Sequence, residues 1–204
     1  MRTRIRIPLV LALASALALV GCSGNGGGGS TATSSPTGVP GGTSTPSASG
    51  KTFSGNGISF QYPESWQEFT LSGTTASSGN QLWNETVGID AINFVSVSGY
   101  TINIPITSGN IDDQKAGIGQ QISDLFAQAG GGIDSGPTDE TMAGLPALGF
   151  TGTANNPDGQ PVSSRLVLAF DGTTEYFVNC QYDDSGQSEL LAGCDQIVGS
   201  FAVG

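Results

Sequence analysis

The chain has 204 residues, of which 37% are hydrophobic and 11% charged, and its 17 Asp+Glu against six Lys+Arg give a net charge of -11. It contains no His, which excludes the Ser/His/Asp triad, the Cys/His dyad, HExxH zinc sites and His-ligated haem. Because so few cations cannot neutralise the phosphates of a nucleic acid, we expect no nucleic-acid partner.

The first 22 residues have the pattern of an export signal. Arginines at the N-terminus precede an apolar stretch, residues 7–20, that is shorter than the roughly 20 residues a membrane-spanning helix needs. The stretch ends in Leu-Val-Gly-Cys, which resembles the lipobox of bacterial lipoproteins. The resemblance implies that residues 1–21 are removed and that the Cys22 thiol carries a diacylglyceryl group. An ordinary signal peptide with a chance Cys is the alternative.

This signal predicts a location and a charge for the mature protein. Two acyl chains are about the threshold for stable attachment, so we expect an anchor in the cell membrane at its extracytoplasmic face, without a span. Without the signal, Lys51, Lys115 and Arg165 stand against 17 acids, which gives a side-chain charge of -14. Such a charge attracts basic partners or small cations, although solubility is its simpler use.

Residues 22–51 are predicted to be the lipidated Cys and a disordered tether. The segment is rich in Gly, Ser, Thr and Pro, and Val39 is its only sizeable aliphatic side chain. It cannot bury enough surface to offset the entropy of ordering, and as a coil it spans about 30 Å root-mean-square. It would hold a single globular domain, residues 52–204, clear of the headgroups.

The domain begins with strand patterns. Ile58, Phe60 and Tyr62 alternate with polar residues in a strand that Pro63 ends. Residues 67–71 form a second short strand, and 73–80 a polar loop. Apolar side chains fall on both faces of residues 91–97, which predicts a strand covered from both sides.

The spacing of the apolar residues changes from that of a strand to that of a helix, which predicts a helix over residues 111–129. Its apolar positions follow 4-3-4 spacing: Ile118, Ile122, Leu125 and Ala129. Asp112 and Asp113 fall in its first turn, where the helix dipole favours negative charge, and Gly130 ends it. A metal site at the two carboxylates is the less favoured interpretation.

Strands return at residues 147–154, 162–170 and 174–182, with a turn at 156–159. Asp171-Gly172 predicts a hairpin between the last two strands, in one of two registers. A two-residue turn places Phe177 beside Leu166. A three-residue loop instead aligns Leu166 with Tyr176 and buries the better set, which comprises Leu166, Leu168, Tyr176, Val178 and Cys180.

A second helix is predicted over residues 188–201. Its apolar positions are Leu191, Cys194, Ile197 or Val198, and Phe201. Asp184 and Gln187 are the expected capping pair.

Cys180 and Cys194 remain as a pair once Cys22 is lipidated. One lies on the core face of the last strand and the other on the core face of the last helix, in an exported protein where disulfides persist. The sequence predicts a disulfide whose 15-residue loop stabilises the fold by roughly 3 kcal/mol. Two buried free thiols are the alternative, and the spacing is unlike the CxxC of redox proteins.

Motifs for catalysis and cofactor binding are missing. GxSxG, HExxH and the EF-hand loop do not occur, and the glycine run at residues 24–29 is no phosphate loop because no strand precedes it and no Lys or helix follows it. We therefore predict no catalytic residue, no metal site and no cofactor. Among 17 acids some close carboxylate pair is inevitable, so a glycosidase-type pair is neither supported nor refuted. Trp66 and Trp83 are candidate contact residues, with core packing the favoured interpretation.

Three segments resemble the PsbP-like superfamily. They are GISFQYPESW at residues 57–66, GLPA at 144–147, and the closing helix that ends in Ser200-Phe201. The resemblance implies an α+β fold with a central antiparallel sheet flanked by helices, an α/β/α sandwich. Bacterial members include LpqN-like lipoproteins. Plant and cyanobacterial members are non-catalytic extrinsic subunits of photosystem II, some of which bind Mn or Ca, but this chain has no His to supply ligands of that type.

The sequence therefore favours a membrane-anchored, non-catalytic binding or scaffold module with a protein partner, and no enzyme activity. A surface lipoprotein that binds a small ligand or a divalent cation is the alternative.

Overall fold

The computed structural model describes residues 50–69, 80–156 and 159–204. The predicted signal, Cys22, nearly all of the predicted tether and most of the predicted 73–80 loop lie outside these residues. The elements of the described part, in chain order, are β1 (Gly50–Gly55), β2 (Ile58–Pro63), β3 (Gln67–Phe69), β4 (Gln81–Gly88), β5 (Phe94–Ile106), α1 (Ile111–Gln128), β6 (Gly132–Met142), β7 (Leu145–Asn155), β8 (Pro161–Tyr182), α2 (Gln187–Ser200) and β9 (Ala202–Val203).

A six-stranded antiparallel sheet, in the order β3-β4-β5-β8-β7-β6, is the centre of the molecule. Helix α1 packs against β6 and β7 on one face. Helix α2 packs on the other face against β8 and against β2, which belongs to a three-stranded sheet of order β1-β2-β9. The predicted α+β fold, a central antiparallel sheet flanked by helices, is confirmed.

The central sheet is buried on both faces because its strands carry apolar side chains on both sides. On β5, Val95 and Val97 join the core beneath α2, whereas Ile102 and Ile106 join the core beneath α1. All four predicted apolar positions of α1 are buried in that second core. The helix extends over 111–128 and thus ends one residue before the predicted boundary.

Glycines allow aromatic rings to lie against the backbone at three contacts. The Trp66 ring packs on Gly193 of α2, and a Cβ at that position would overlap it. Trp83 lies over Gly99 and Phe126 lies over Gly152 in the same manner. Trp66 is fully buried, so the contact with Gly193 fixes the distance between α2 and the end of β2.

The predicted hairpin at Asp171-Gly172 is wrong, since residues 161–182 form one continuous strand. Its first half pairs with β7 and its second half with β5. Gly172 has φ +59°, a left-handed conformation that side chains disfavour, and it marks an irregularity in the pairing with β5.

This irregularity shifts the alternation of side chains along β8. Leu166 and Leu168 lie in the core beneath α1, but three residues that were predicted to share their face lie in the core beneath α2: Tyr176, Val178 and Cys180. The Asp-Gly pair bends a long strand from one partner to the next. The two partners are distant in sequence, so the local pattern could not distinguish this bend from a turn.

Other boundaries differ from prediction as well. Strand β1 begins at Gly50, so the last two residues of the predicted tether belong to the sheet, and β4 and β6 were not predicted. Residues 91 and 92 form a bend before β5. The residue that binds the backbone before α2 is Asp183 and not Asp184, because Asp183 Oδ1 accepts the Ser185 and Gly186 N–H groups, both at 3.0 Å.

Candidate functional site

Half of one sheet face is polar where an apolar core would be expected. Helix α1 covers β6 and β7, while the neighbouring part of the same face is made by β4, β5 and β8. Residues directly opposite in an antiparallel pair share a face, and the register therefore places six polar side chains together. We call them the polar strip: Asn84, Thr86, Ser96, Ser98, Glu175 and Asn179.

Hydrogen bonds hold one end of the polar strip. Ser96 Oγ donates to Asn84 Oδ1 at 2.8 Å, and Ser98 Oγ donates to the same oxygen at 3.1 Å. Asn179 Oδ1 is buried without a hydrogen-bond partner. Buried polar atoms are normally paired, so this unpaired acceptor is a candidate for a contact outside the chain's own bonds.

Glu175 lies at the other end of the strip, where it is 6% exposed. Its Oε2 atom is buried and has no hydrogen-bond partner. Burial alone raises the pKa of this carboxyl to about 7, because an ionised carboxylate loses its hydration. Nearby charges are absent from the causes of the shift, so no cation of the described residues stabilises the ionised form.

Two aromatic rings lie beside Glu175. Tyr100 is its direct partner on β5, and Phe177 follows on the same face of β8. The two rings are edge to face, with centroids 6.3 Å apart and planes at 87°. Burial raises the pKa of Tyr100, the Ser98 hydrogen bond lowers it, and the charge of Glu175 raises it. This last effect agrees with the register, which places the two residues directly opposite each other.

Each cation in the described residues already has a partner. Lys115 links α1 to β6 through Asp112 at 2.5 Å and Asp139 at 2.6 Å. Lys51 Nζ donates to the Trp66 carbonyl oxygen at 2.8 Å. Both lysines are therefore held by groups other than Glu175.

Arg165 links α2 to β6. It binds Asp195 at 2.5 Å and Glu140 at 3.4 Å. Glu140 reaches it by lying across Gly149, where a Cβ would overlap the carboxylate. The guanidinium is therefore occupied on both sides by acids of this chain.

A second group of carboxyls surrounds Tyr62. The Tyr62 hydroxyl donates to Glu68 Oε1 at 2.7 Å, and burial together with this bond and the charges of Glu68 and Glu64 raises the pKa of Tyr62 to about 12. Asn56 Nδ2 donates to Glu85 Oε1 at 3.0 Å, and burial raises the pKa of Glu85. Among residues 50–69, 80–156 and 159–204, no three acidic or Cys side chains are grouped closely enough to hold a metal ion.

The structure confirms some of the roles that were predicted from the sequence for individual residues. The predicted Cys180–Cys194 disulfide is confirmed, with Cα atoms 6.0 Å apart, and it joins β8 to α2. Trp66 is a core residue. Trp83 is half-buried and packs 6.4 Å from the Tyr176 ring. Cys22 lies outside the described residues, and its lipidation stays a prediction.

Glu175 was not predicted as a site residue. The feature of the sequence that could have indicated it is a single acid within a long apolar strand. The predicted hairpin paired the two halves of β8 with each other, so it did not place Glu175 beside its actual neighbour, Tyr100 on β5. In the described part of the chain, neither helix has the length and apolar character needed to cross a membrane.

Comparisons with known proteins identify the fold of the chain and assign it to no family. No family model matches the chain, and no curated protein matches it. The cyanobacterial PsbP (CyanoP) of Synechocystis sp. PCC 6803 is similar in structure, with TM-score 0.53, 17% identity, and 82% of this chain and 98% of that chain covered. The chain has the PsbP-like fold.

Two further solved structures are similar. A protein of Bacteroides thetaiotaomicron gives TM-score 0.50 and 12% identity over 76% of this chain, which spans 48% of that protein's length. LpqN of Mycobacterium tuberculosis, which is involved in cell envelope biogenesis, gives TM-score 0.47 and 13% identity over 78% of this chain and 87% of that chain. At such identities these likenesses concern the fold alone.

Proposed function

We propose that this chain is a lipid-anchored protein of the extracytoplasmic face of the cell membrane, and that its domain binds a macromolecular partner without catalysing a reaction. The Leu-Val-Gly-Cys box and the short apolar stretch before it support the anchor. The Gly/Ser/Thr/Pro-rich segment before β1 would act as the tether, with residues 50–204 as the binding domain.

The observation that carries the binding function is the uncompensated acidity of the domain. Each of its three cations is bound to groups of the same chain, and the excess of 17 acids over these three cations gives the mature chain its charge of -14. A field of one sign attracts a partner of the opposite sign over several ångströms before contact. The partner surface is therefore expected to be basic.

The fold gives additional support. The PsbP-like fold is shared with a cyanobacterial PsbP, and the resemblance in the sequence implies a non-catalytic extrinsic subunit. None of the motifs that would supply a nucleophile with its base occurs in the chain. A module that associates with a larger assembly agrees with both observations.

The anchor is tested by Cys22→Ala. Because the acyl group is attached through the Cys22 thiol, we expect the variant to lose lipid labelling and to accumulate unprocessed or be released from the membrane fraction. Cys194→Ala is the control, since it breaks the Cys180–Cys194 disulfide but keeps the Cys22 thiol, and it should leave labelling intact. Continued tight membrane association of a processed Cys22→Ala protein would refute the anchor.

The partner is sought by crosslinking in intact cells, followed by mass spectrometry of the captured proteins. We expect a reproducible partner with a basic surface that the purified mature chain binds directly. The proposal is overturned if the purified chain turns over a cell-wall or lipid substrate and one carboxylate substitution abolishes that turnover without unfolding the domain.

A further inference from the structure

Glu175 is a buried carboxylate for which the described residues offer no counter-charge. Its Oε2 atom lacks a hydrogen-bond partner, and burial is the whole cause of its pKa shift. Lys51, Lys115 and Arg165 are committed to other groups. An isolated buried carboxylate is costly unless it is protonated or receives a cation. The unpaired oxygen is thus an acceptor for a cation supplied from outside.

The rings beside it suit the same kind of ligand. The face of an aromatic ring attracts a cation within about 6 Å of its centroid. Tyr100 lies directly opposite Glu175, and Phe177 meets Tyr100 edge to face. Tyr100 is half-buried, so solvent reaches this group of side chains at the Tyr100 ring.

We propose that Glu175, Tyr100 and Phe177 form a binding site for a primary ammonium group. A primary ammonium has three N–H donors and no acceptor, which complements an unpaired carboxylate oxygen and an aromatic wall. The acidic field of the domain raises the local concentration of such a cation. The site does not depend on the proposed macromolecular function, because both a free alkylamine and a lysine side chain carry this group.

Binding requires the ionised carboxylate, so it is coupled to the release of a proton from Glu175. With a pKa of about 7 in the free protein, the affinity is expected to fall about tenfold from pH 8 to pH 6. Tyr100 is the titratable group that faces Glu175 from β5, and it stays protonated over this range because its pKa is raised above 10.0. The aliphatic amine also keeps its proton throughout.

The test is calorimetric titration of the full mature chain with n-butylammonium chloride at pH 8. We expect saturable binding at one site, no binding of n-butanol, and at least tenfold weaker binding of tetramethylammonium, which has charge but no N–H donor. Glu175→Gln should lose at least tenfold in affinity, whereas Glu189→Gln on the exposed face of α2 should not. Tyr100→Phe keeps the ring and should retain binding, while Tyr100→Leu should weaken it.

The source of the ammonium is distinguished by a second titration with an acetylated, amidated Gly-Lys-Gly peptide. Binding of both probes means that the site accepts a lysine side chain, and binding of n-butylammonium alone means that it is closed to peptides. The proposal is overturned by equal affinity of wild type and Glu175→Gln, or by the absence of saturable n-butylammonium binding. If Glu175→Gln does not fold, the affinities of Tyr100→Phe and Tyr100→Leu for n-butylammonium are compared instead. Equal affinity of these two variants overturns the proposal.

Discussion

The Glu175 carboxyl makes the stability of the domain depend on pH in a direction opposite to that of a salt-bridged acid. Its pKa is about 7 in the folded chain and near the ordinary 4.5 when unfolded. The folded state therefore holds the proton more tightly, and this contribution to stability is complete below pH 4.5 and is lost as pH rises through 7. The loss is about 3 kcal/mol.

We therefore expect the free energy of unfolding, measured by urea denaturation, to fall between pH 5 and pH 8 in the wild type. Glu175→Gln cannot ionise and should remove most of that dependence, whatever its absolute stability. Glu189→Gln, which changes an exposed acid, should keep the wild-type slope. Identical slopes for wild type and Glu175→Gln would contradict the assignment.

The two tryptophans show what a single residue's sequence context can and cannot tell. Core packing was the favoured interpretation of both, and Trp66 is fully buried. Trp83 lies in β4, which was not predicted, and its contact is Gly99 on β5. Such a contact depends on strand pairing, which no residue pattern within β4 reveals.

At the scale of elements, the contact between Trp66 and Gly193 joins α2 to the end of β2. A Cβ at Gly193 would overlap the indole ring, which is fully buried. We expect Gly193→Ala to destabilise the domain by about 1–3 kcal/mol and to change the Trp fluorescence of the folded state.

Gly199 is the matched control for this substitution, since it belongs to the same helix and nothing lies within 4 Å of the position its Cβ would take. Gly199→Ala should be neutral or stabilising, by up to about 1 kcal/mol, because Ala favours the helix. If both substitutions have the same effect, helix propensity and not the Trp66 contact determines it.

The disulfide fastens the same helix to the central sheet. Cys180 on β8 and Cys194 on α2 both lie in the core beneath α2. Constraining a loop of this length stabilises the fold by roughly 3 kcal/mol in the chain-entropy model. Helix α2 is thus held to β8 by a covalent bond and to β2 by the Trp66 contact.

The sequence predicted the helices better than the sheet, for a physical reason. A helix buries one face against its surroundings, so the period of its own side chains places Ile118 and Ile122 in the core without knowledge of the partner. A strand gains its position from its neighbours. The bend at Gly172 and the pairing of Glu175 with Tyr100 required β5 and β7, which are distant in sequence.

Two acidic residues of β6, at the edge of the sheet, form ion pairs with other elements. Asp139 binds Lys115 of α1, and Glu140 binds Arg165 of β8. The Asp139 side chain is exposed, so its pair with Lys115 contributes little stability, whereas the pair of Arg165 with Glu140 is part-buried. Their larger consequence is that two of the three cations are neutralised at the surface, which leaves the field of the other carboxylates uncompensated.

For the whole molecule, this field predicts how salt affects association with a partner. The Debye length falls from about 30 Å at 0.01 M salt to about 10 Å at 0.1 M, so attraction at long range is lost over that interval. A charge of -14 should therefore make the association rate of the mature chain with its crosslinked partner fall about tenfold, with a smaller change in the dissociation rate.

Stopped-flow or surface-plasmon measurements at the two salt concentrations give both rates. Sucrose at matched osmolality is the control, because it changes no screening. An association rate independent of salt would show that the partner does not recognise the acidic surface, and the binding site would then have to be sought among the uncharged parts of the domain.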